Sequence, residues 1–202
     1  MTKKVLGITI IAFMTFFNAI AQKSAAYTSD LVDYQKALSL YNSKQYLAAQ
    51  ALFDNIEDHV SDEVIKSDCA YYIANCAVRL NQQNADDLIQ KFVANYPTST
   101  KRNTAFIDVG DYYFENSKYS YARKWYEKVD TKELTNDELV EYNFNLAYTY
   151  FKKKKFKEAK PLFKAIKDAK HDYSDPAKYY YGFITFYEEN YKEAEANFNQ
   201  LK

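Results

Sequence analysis

Aromatic and alanine positions recur along this chain with helical spacing, separated by short polar runs. Tyr119, Ala122 and Tyr126 align with Phe156, Ala159 and Phe163, with Tyr191, Ala194 and Phe198, and with Tyr46, Ala49 and Phe53. In each set an aromatic is followed three residues later by alanine and, four residues after that, by a second aromatic. A branched apolar residue comes three further on: Val129, Ile166, Leu201 and Ile56. Apolar positions at i, i+4 and i+7 form one stripe of an α-helix and do not fit strand alternation. Nine residues before each leading aromatic sits a small residue: Gly110, Ala147, Gly182 and Ala37. Around it runs a second helical pattern, as in Gly110, Tyr113 and Phe114. Gly110 and Gly182 thus share one position of the repeat, where a closely crossing helix would exclude a Cβ.

A fifth copy is degenerate. Ala74 takes the small position, and Ala85, Ile89 and Phe92 take the later ones, but one residue is missing between its halves and the leading aromatic is lost. The small positions then fall at 37, 74, 110, 147 and 182, at intervals of 37, 36, 37 and 35. A period near 36 residues signals a repeat architecture, here two helices per copy. Local signals agree. Thr135 with Glu138 has the capping-box pattern, Asp175 before Pro176 reads as an N-cap with proline in the first turn, and Pro97 ends the second copy. Pro161 falls inside a second helix, where a kink is expected with the Lys157 carbonyl displaced.

Before the repeats, Lys3 and Lys4 precede the apolar run Val5 to Phe17 and the small-residue pattern Ala19-Ile20-Ala21. This is the layout of a secretory signal peptide over residues 1–21, and the apolar stretch is short for a membrane span. Residues 22–30 read as a lead-in. Export raises the question of disulfides, and Cys69 and Cys76 are the two cysteines. Seven residues apart on one helix, they are separated by roughly 10 Å of rise, too far for an internal bridge, and read as buried thiols.

The order small, aromatic, Ala, aromatic, apolar, helix-ending Pro resembles the tetratricopeptide repeat (TPR). Gly110, Tyr113, Tyr119, Ala122, Tyr126 and Val129 carry the resemblance, as do Ala85, Ile89, Phe92 and Pro97. The family's early tryptophan is absent, and Trp125 does not occupy its place. The segment Tyr96-Pro97-Thr98-Ser99 is similar to an ending common in exported bacterial TPR proteins. The resemblance implies an all-α, right-handed superhelical solenoid of about five helix pairs over residues 31–202, with repeats near 31–62, 63–99, 100–134, 135–174 and 175–202. It implies a periplasmic or outer-membrane-associated location.

The resemblance also implies a concave face lined by the first helices. That face would display Tyr34, Leu38, Tyr41, Tyr71, Asn75, Ile107, Asp111, Phe114, Phe144, Tyr148, Phe151, Tyr179, Phe183 and Phe186. Its aromatic character suits a trough for an extended or helical segment of a protein partner, though many of these rings would also pack between successive helices. Tyr71, Asn75 and Arg79 are at most a fragment of a carboxylate clamp. The alternatives are a passive helical spacer, the start of a longer multi-repeat protein, and a glycan-binding surface. The last repeat ends without a polar capping helix, so either further repeats follow or its apolar edge docks onto another subunit.

Composition narrows the chemistry. The chain has 202 residues, 27 Lys+Arg against 27 Asp+Glu, three Gly, three Pro, 21 Tyr and 14 Phe. Balanced charge gives no electrostatic case for nucleic acid. Two histidines and two cysteines leave little for a metal site or thiol catalyst, and His59 and His171 have no carboxylate at ligand spacing. No phosphate loop, serine elbow or paired-acid motif is present. No enzyme activity, metal or cofactor is expected. Lys152 to Lys155 sit at a helix C-terminus, where cations complement the helix dipole.

Overall fold

A computed structural model describes residues 30–201. The expected signal peptide and all but the last residue of the lead-in lie outside the described residues. The described chain is helical and contains no strand. It divides into two compact units, one closing at Ser99 and one opening at Thr100. The first holds α1 (30–42), α2 (Tyr46–His59), α3 (Glu63–Arg79) and α4 (Ala85–Asn95). The second holds α5 (Lys101–Glu115), α6 (Tyr119–Tyr126), α7 (Asn136–Lys152), α8 (Phe156–Ile166), α9 (Ser174–Tyr187) and α10 (Tyr191–Phe198). A 3-10 turn, Thr131–Glu133, precedes α7, and another, Asn199–Leu201, follows α10.

The local signals meet different fates. Thr135 and Glu138 form the full capping box: the Glu138 amide donates to Thr135 Oγ1 at 3.3 Å and the Thr135 amide donates to Glu138 Oε2 at 2.8 Å. Asp175 is not the N-cap of α9. The helix begins one residue earlier, at Ser174, because the Ala177 amide already reaches the Tyr173 carbonyl at 2.9 Å. Asp175 and Pro176 therefore occupy the first turn, where a carboxylate suits the dipole and proline's missing donor has no intrahelical acceptor. Helix α8 runs unbroken through Pro161. Lys157 and Pro161 both lie on its exposed side, where water can serve the carbonyl that proline leaves without an N–H.

Every helix pair turns in the same way. Lys44, Asn81, Ser117, Lys154 and Glu189 have φ between 53° and 62°, and each stands seven residues after a small position. In the fourth pair the Lys155 amide donates back to the Tyr150 carbonyl at 2.9 Å, and the Lys154 amide to Phe151 at 2.8 Å. The same paired bonds close the other four turns, with Gln45 to Leu40, Gln82 to Ala77, Lys118 to Tyr113 and Asn190 to Thr185. This is a Schellman motif, which satisfies carbonyls that a helix end otherwise leaves open. None of the five left-handed positions is glycine.

The small positions are buried throughout: Ala37, Ala74 and Ala147 are fully inaccessible, and Gly110 and Gly182 are buried. A Cβ on Gly110 would lie 2.5 Å from Cε1 of Tyr126, and one on Gly182 would lie 2.9 Å from Cε1 of Phe198. Ring and glycine are 16 residues apart in both pairs, and the same offset joins Ala37 to Phe53 and Ala147 to Phe163 in their buried clusters. In the degenerate copy the missing residue coincides with a lost first turn. There α4 starts only at Ala85, whereas α2 starts at Tyr46, three residues before the equivalent Ala49.

Cys69 and Cys76 are free and buried in the core of the first unit. Burial pushes both thiols up to about 12, so neither is a ready nucleophile.

Two stability predictions follow from these contacts. Tyr126 is fully buried, so Gly110→Ala is expected to destabilise the array by about 1–3 kcal/mol through overpacking. Phe198 is only partly buried and can shift, so Gly182→Ala should be nearly neutral, the better helix propensity of alanine offsetting the contact. Urea denaturation that ranks the two substitutions equally would show that ring mobility does not control this position. Separately, Lys154→Gly removes a left-handed L-residue at a modest entropic cost and is expected to stabilise by about 0.5–1 kcal/mol. The check is the thermal midpoint, which should rise.

Candidate functional site

The first helices do carry the expected aromatic residues, but packing divides them into covered and open groups. In the first unit Tyr34 is buried, its ring edge-on to Phe53 at 5.9 Å and its hydroxyl donating to Asp68 Oδ2 at 2.8 Å. Tyr71 is buried against Phe92. Asn75 is fully buried; its Oδ1 accepts from Arg79 Nη1 at 2.7 Å and its Nδ2 donates to the Tyr71 carbonyl. The fragment of a carboxylate clamp is thus satisfied internally. Tyr41 is half-buried between Tyr46 and Tyr72, with the Arg79 guanidinium 5.3 Å from its ring centre.

In the second unit Phe144 is buried among Phe163, Tyr173 and Tyr180. Burial withdraws Tyr34, Tyr71, Asn75 and Phe144 from any surface a partner could touch. Phe114, Tyr148 and Phe151 are half-buried: Phe114 meets Tyr148 at 5.5 Å, and Phe151 meets Tyr180 at 4.8 Å and Phe183 at 5.3 Å. On α9 the same positions are open. Tyr179, Phe183 and Phe186 are 49 %, 39 % and 56 % exposed, and they lie at i, i+4 and i+7 on one face. Tyr187 and Tyr191, neither of them in the expected set, are exposed beside them, Tyr191 lying 5.3 Å from Phe186. The stripe on α10 could have revealed Tyr191, because it is the leading aromatic of its copy.

Asp111 has a different role from the rings. Its Oδ1 accepts from the Tyr126 hydroxyl at 2.6 Å and from Asn145 Nδ2 at 3.1 Å. Burial pushes its carboxyl up to about 6, with Glu141 and Asp108 adding to the rise and the two hydrogen bonds opposing it. Asp111 thus sits between two neutral donors, with Glu141 and Asp108 near enough to act on its charge. Among the described residues there is no group of three or more His, Cys, Asp or Glu that could hold a metal ion. His59 lies 3.9 Å from Asp30, and His171 stacks on Tyr173.

The comparisons bear on the fold. The tetratricopeptide repeat model matches residues 68–99, the span of α3, α4 and the Tyr96-Pro97-Thr98-Ser99 ending. Solved TPR-type structures superpose over most of the chain. Residues 68–99 thus match the tetratricopeptide repeat, and the rest of the described chain shares the fold of such arrays. One such structure, a putative kinesin light chain from Podosopora anserina with nearly identical TPR-like repeats, has a TM-score of 0.59 at 15 % identity, covering 84 % of this chain and 91 % of that one. A MamA RS-1 double mutant has a TM-score of 0.63 at 13 % identity, covering 85 % and 92 %. MamA AMB-1 has 0.57 at 17 %, covering 84 % and 95 %. No curated protein sequence matches the chain. Among the described residues no helix is long and apolar enough to cross a membrane.

The raised Asp111 carboxyl sets a pH dependence for the second unit. The folded state holds this proton more tightly than the unfolded chain, so the contribution to stability is full at pH 4 or below and is lost as pH rises through about 6. Asp111→Asn keeps an acceptor for Tyr126 and removes the charge. The melting temperature of the wild type relative to this variant should therefore rise as pH is lowered from 7 to 4. A difference that is flat with pH would show that Asp111 is not the titrating group.

Proposed function

We infer that this protein is a protein–protein interaction scaffold of the cell envelope, and that its second unit holds a partner on an aromatic surface. The supporting observation is the open stripe on α9, where three large rings keep 39–56 % exposure although their counterparts one repeat earlier are covered. Rings at helical spacing give a partner much apolar area at small rotamer cost. Contiguous exposed rings of this kind are uncommon on a surface that stays bare in water. The fold supports the scaffold role, since stacked helix pairs of this kind present helix faces to partners. The envelope location rests on the sequence of residues 1–21, with its lysines, apolar run and small-residue cleavage pattern.

The test is capture of envelope proteins by the tagged array, compared with a Phe183→Ser, Phe186→Ser double variant. Both rings are exposed, so helical circular dichroism should stay unchanged while the captured partner is lost. Equal capture by the folded double variant would refute the aromatic surface as the binding site. Phe144→Ala is a contrasting control: that ring is buried, so its loss is expected to cost about 3–5 kcal/mol of stability.

A further inference from the structure

Charge is balanced over the whole chain but not along it. Residues 152–170 hold nine lysines against two acids, Glu158 and Asp168. The equivalent stretch one repeat earlier, residues 115–133, has five basic residues against four acids. In the first pair, residues 42–60 have one lysine against three acids. The same turn and second helix form in all three copies, so the fold does not require the lysines. Helix dipoles do not require them either. Only Lys152 lies in the last turn of α7, where a cation is favoured. Lys155 is the N-cap of α8 and Lys157 is in its first turn, where a cation opposes the dipole.

Three of the nine are engaged. Lys160 pairs with Glu188, Lys167 donates to Asp168 Oδ2 at 2.6 Å, and Lys152 lies 5.6 Å and 5.8 Å from the ring centres of Tyr119 and Tyr148. The other six, Lys153, Lys154, Lys155, Lys157, Lys164 and Lys170, are exposed and make no ion pair among the described residues. Lys157, Pro161 and Lys164 stand at i, i+4 and i+7 on the outer side of α8, the two lysines about 10 Å apart along the axis. The other exposed residues of α8 are Glu158 and Ala165, so no ring or branched apolar residue interrupts the row. Asp168, beyond the helix, is held by Lys167 and Lys178. Helix α8 packs against both α7 and α9, so its outer side stays open whether or not further repeats follow α10.

We propose that this lysine row holds the protein against the surface of an anionic lipid bilayer. Protein interfaces are poor in lysine and centre on buried apolar anchors, and the outer side of α8 offers none. Recognition of a single carboxylate or phosphate favours the arginine fork, and residues 152–170 contain no arginine. A bilayer rich in anionic headgroups needs only a high density of positive charge, which lysine supplies while keeping its hydration. Among the described residues no helix is long and apolar enough to cross a membrane, so the attachment is peripheral and weakened by salt. The proposal agrees with the envelope location and does not draw on the aromatic surface of α9.

The chain from Gln22 onward, which contains every described helix, is sedimented with vesicles of phosphatidylglycerol and phosphatidylcholine in equal parts, and with vesicles of phosphatidylcholine alone. Binding is expected to the anionic vesicles only, and should weaken as salt is raised. A lysine at the surface contributes roughly fivefold in affinity, so Lys157→Gln with Lys164→Gln should weaken binding roughly 25-fold. Lys36→Gln with Lys132→Gln removes the same charge at exposed sites elsewhere and should change little. All four side chains are exposed, so helical circular dichroism should stay unchanged in both variants. Absence of binding, equal binding to neutral vesicles, or equal loss in the two lysine pairs would overturn the proposal. Release from the vesicles by an equal charge of duplex DNA or polyglutamate would do the same and assign the row to another polyanion. The Phe183→Ser, Phe186→Ser variant should bind vesicles as the parent does, and loss of binding there would place the contact on α9 instead. Failure of the lysine row leaves the scaffold reading to its own test, the capture of envelope proteins.

Discussion

In four of the five pairs the two helices lie against each other with a ring of the second in the space that a larger side chain on the first would need. At Gly110 and Gly182 the ring reaches into the Cβ volume itself; at Ala37 and Ala147 the ring, a phenylalanine in each, tolerates the methyl. That close approach fixes the crossing, and the crossing requires a tight return of the chain seven residues later. Each return is a left-handed residue with the same pair of backbone bonds, in phase with the small positions. The contact and the turn are thus two consequences of one geometry. L-residues can be held at positive φ because closure of the helix end and burial of the ring outweigh a local cost of about 1–2 kcal/mol.

Stacking of one pair on the next uses a second, separable device. Where Tyr72 inserts between Tyr41 and Phe53, and Tyr180 between Phe151 and Phe163, the interface is an aromatic wedge, with rings 4.8–5.4 Å apart. The wedge explains why positions that look like a binding groove in sequence divide into covered and open sets. Tyr34 and Phe144 are covered where the next pair supplies a wedge. Phe144 and Tyr179 occupy the same place in consecutive repeats, yet one is 8 % and the other 49 % exposed.

Period and helical phase were legible in the amino-acid sequence because both are carried by side-chain volume, which the letters report directly. Ala37, Gly110, Ala147 and Gly182 marked the crossings, and Thr135 with Glu138 marked a helix start. The fate of individual rings was not legible. Tyr34 and Tyr179 have the same helical register, and only the following repeat decides which is buried. The left-handed turns were hidden for another reason: Lys, Asn, Ser, Lys and Glu occupy them, so no glycine flags the conformation. Asp175 misled because a proline after an acidic residue fits both an N-cap and a first turn, and the backbone bond to Tyr173 selects the latter.

The third pair shows why the wedge is not used everywhere. At the position of Tyr72 and Tyr180 it receives Asn145, and at the position of Phe53 and Phe163 it has Tyr126. The hydroxyl and the amide both donate to Asp111, replacing ring stacking with hydrogen bonds around one half-buried carboxylate. An aromatic wedge tolerates sliding, since rings keep favourable contacts over a range of offsets. A carboxylate with two fixed donors does not, because any other register would leave a desolvated charge without partners. Asp111, Tyr126 and Asn145 therefore specify how the α7–α8 pair seats on the α5–α6 pair, while the wedges at Tyr72 and Tyr180 contribute mainly apolar contact. The raised Asp111 carboxyl is the cost of that specificity, and it makes the strength of this junction depend on pH.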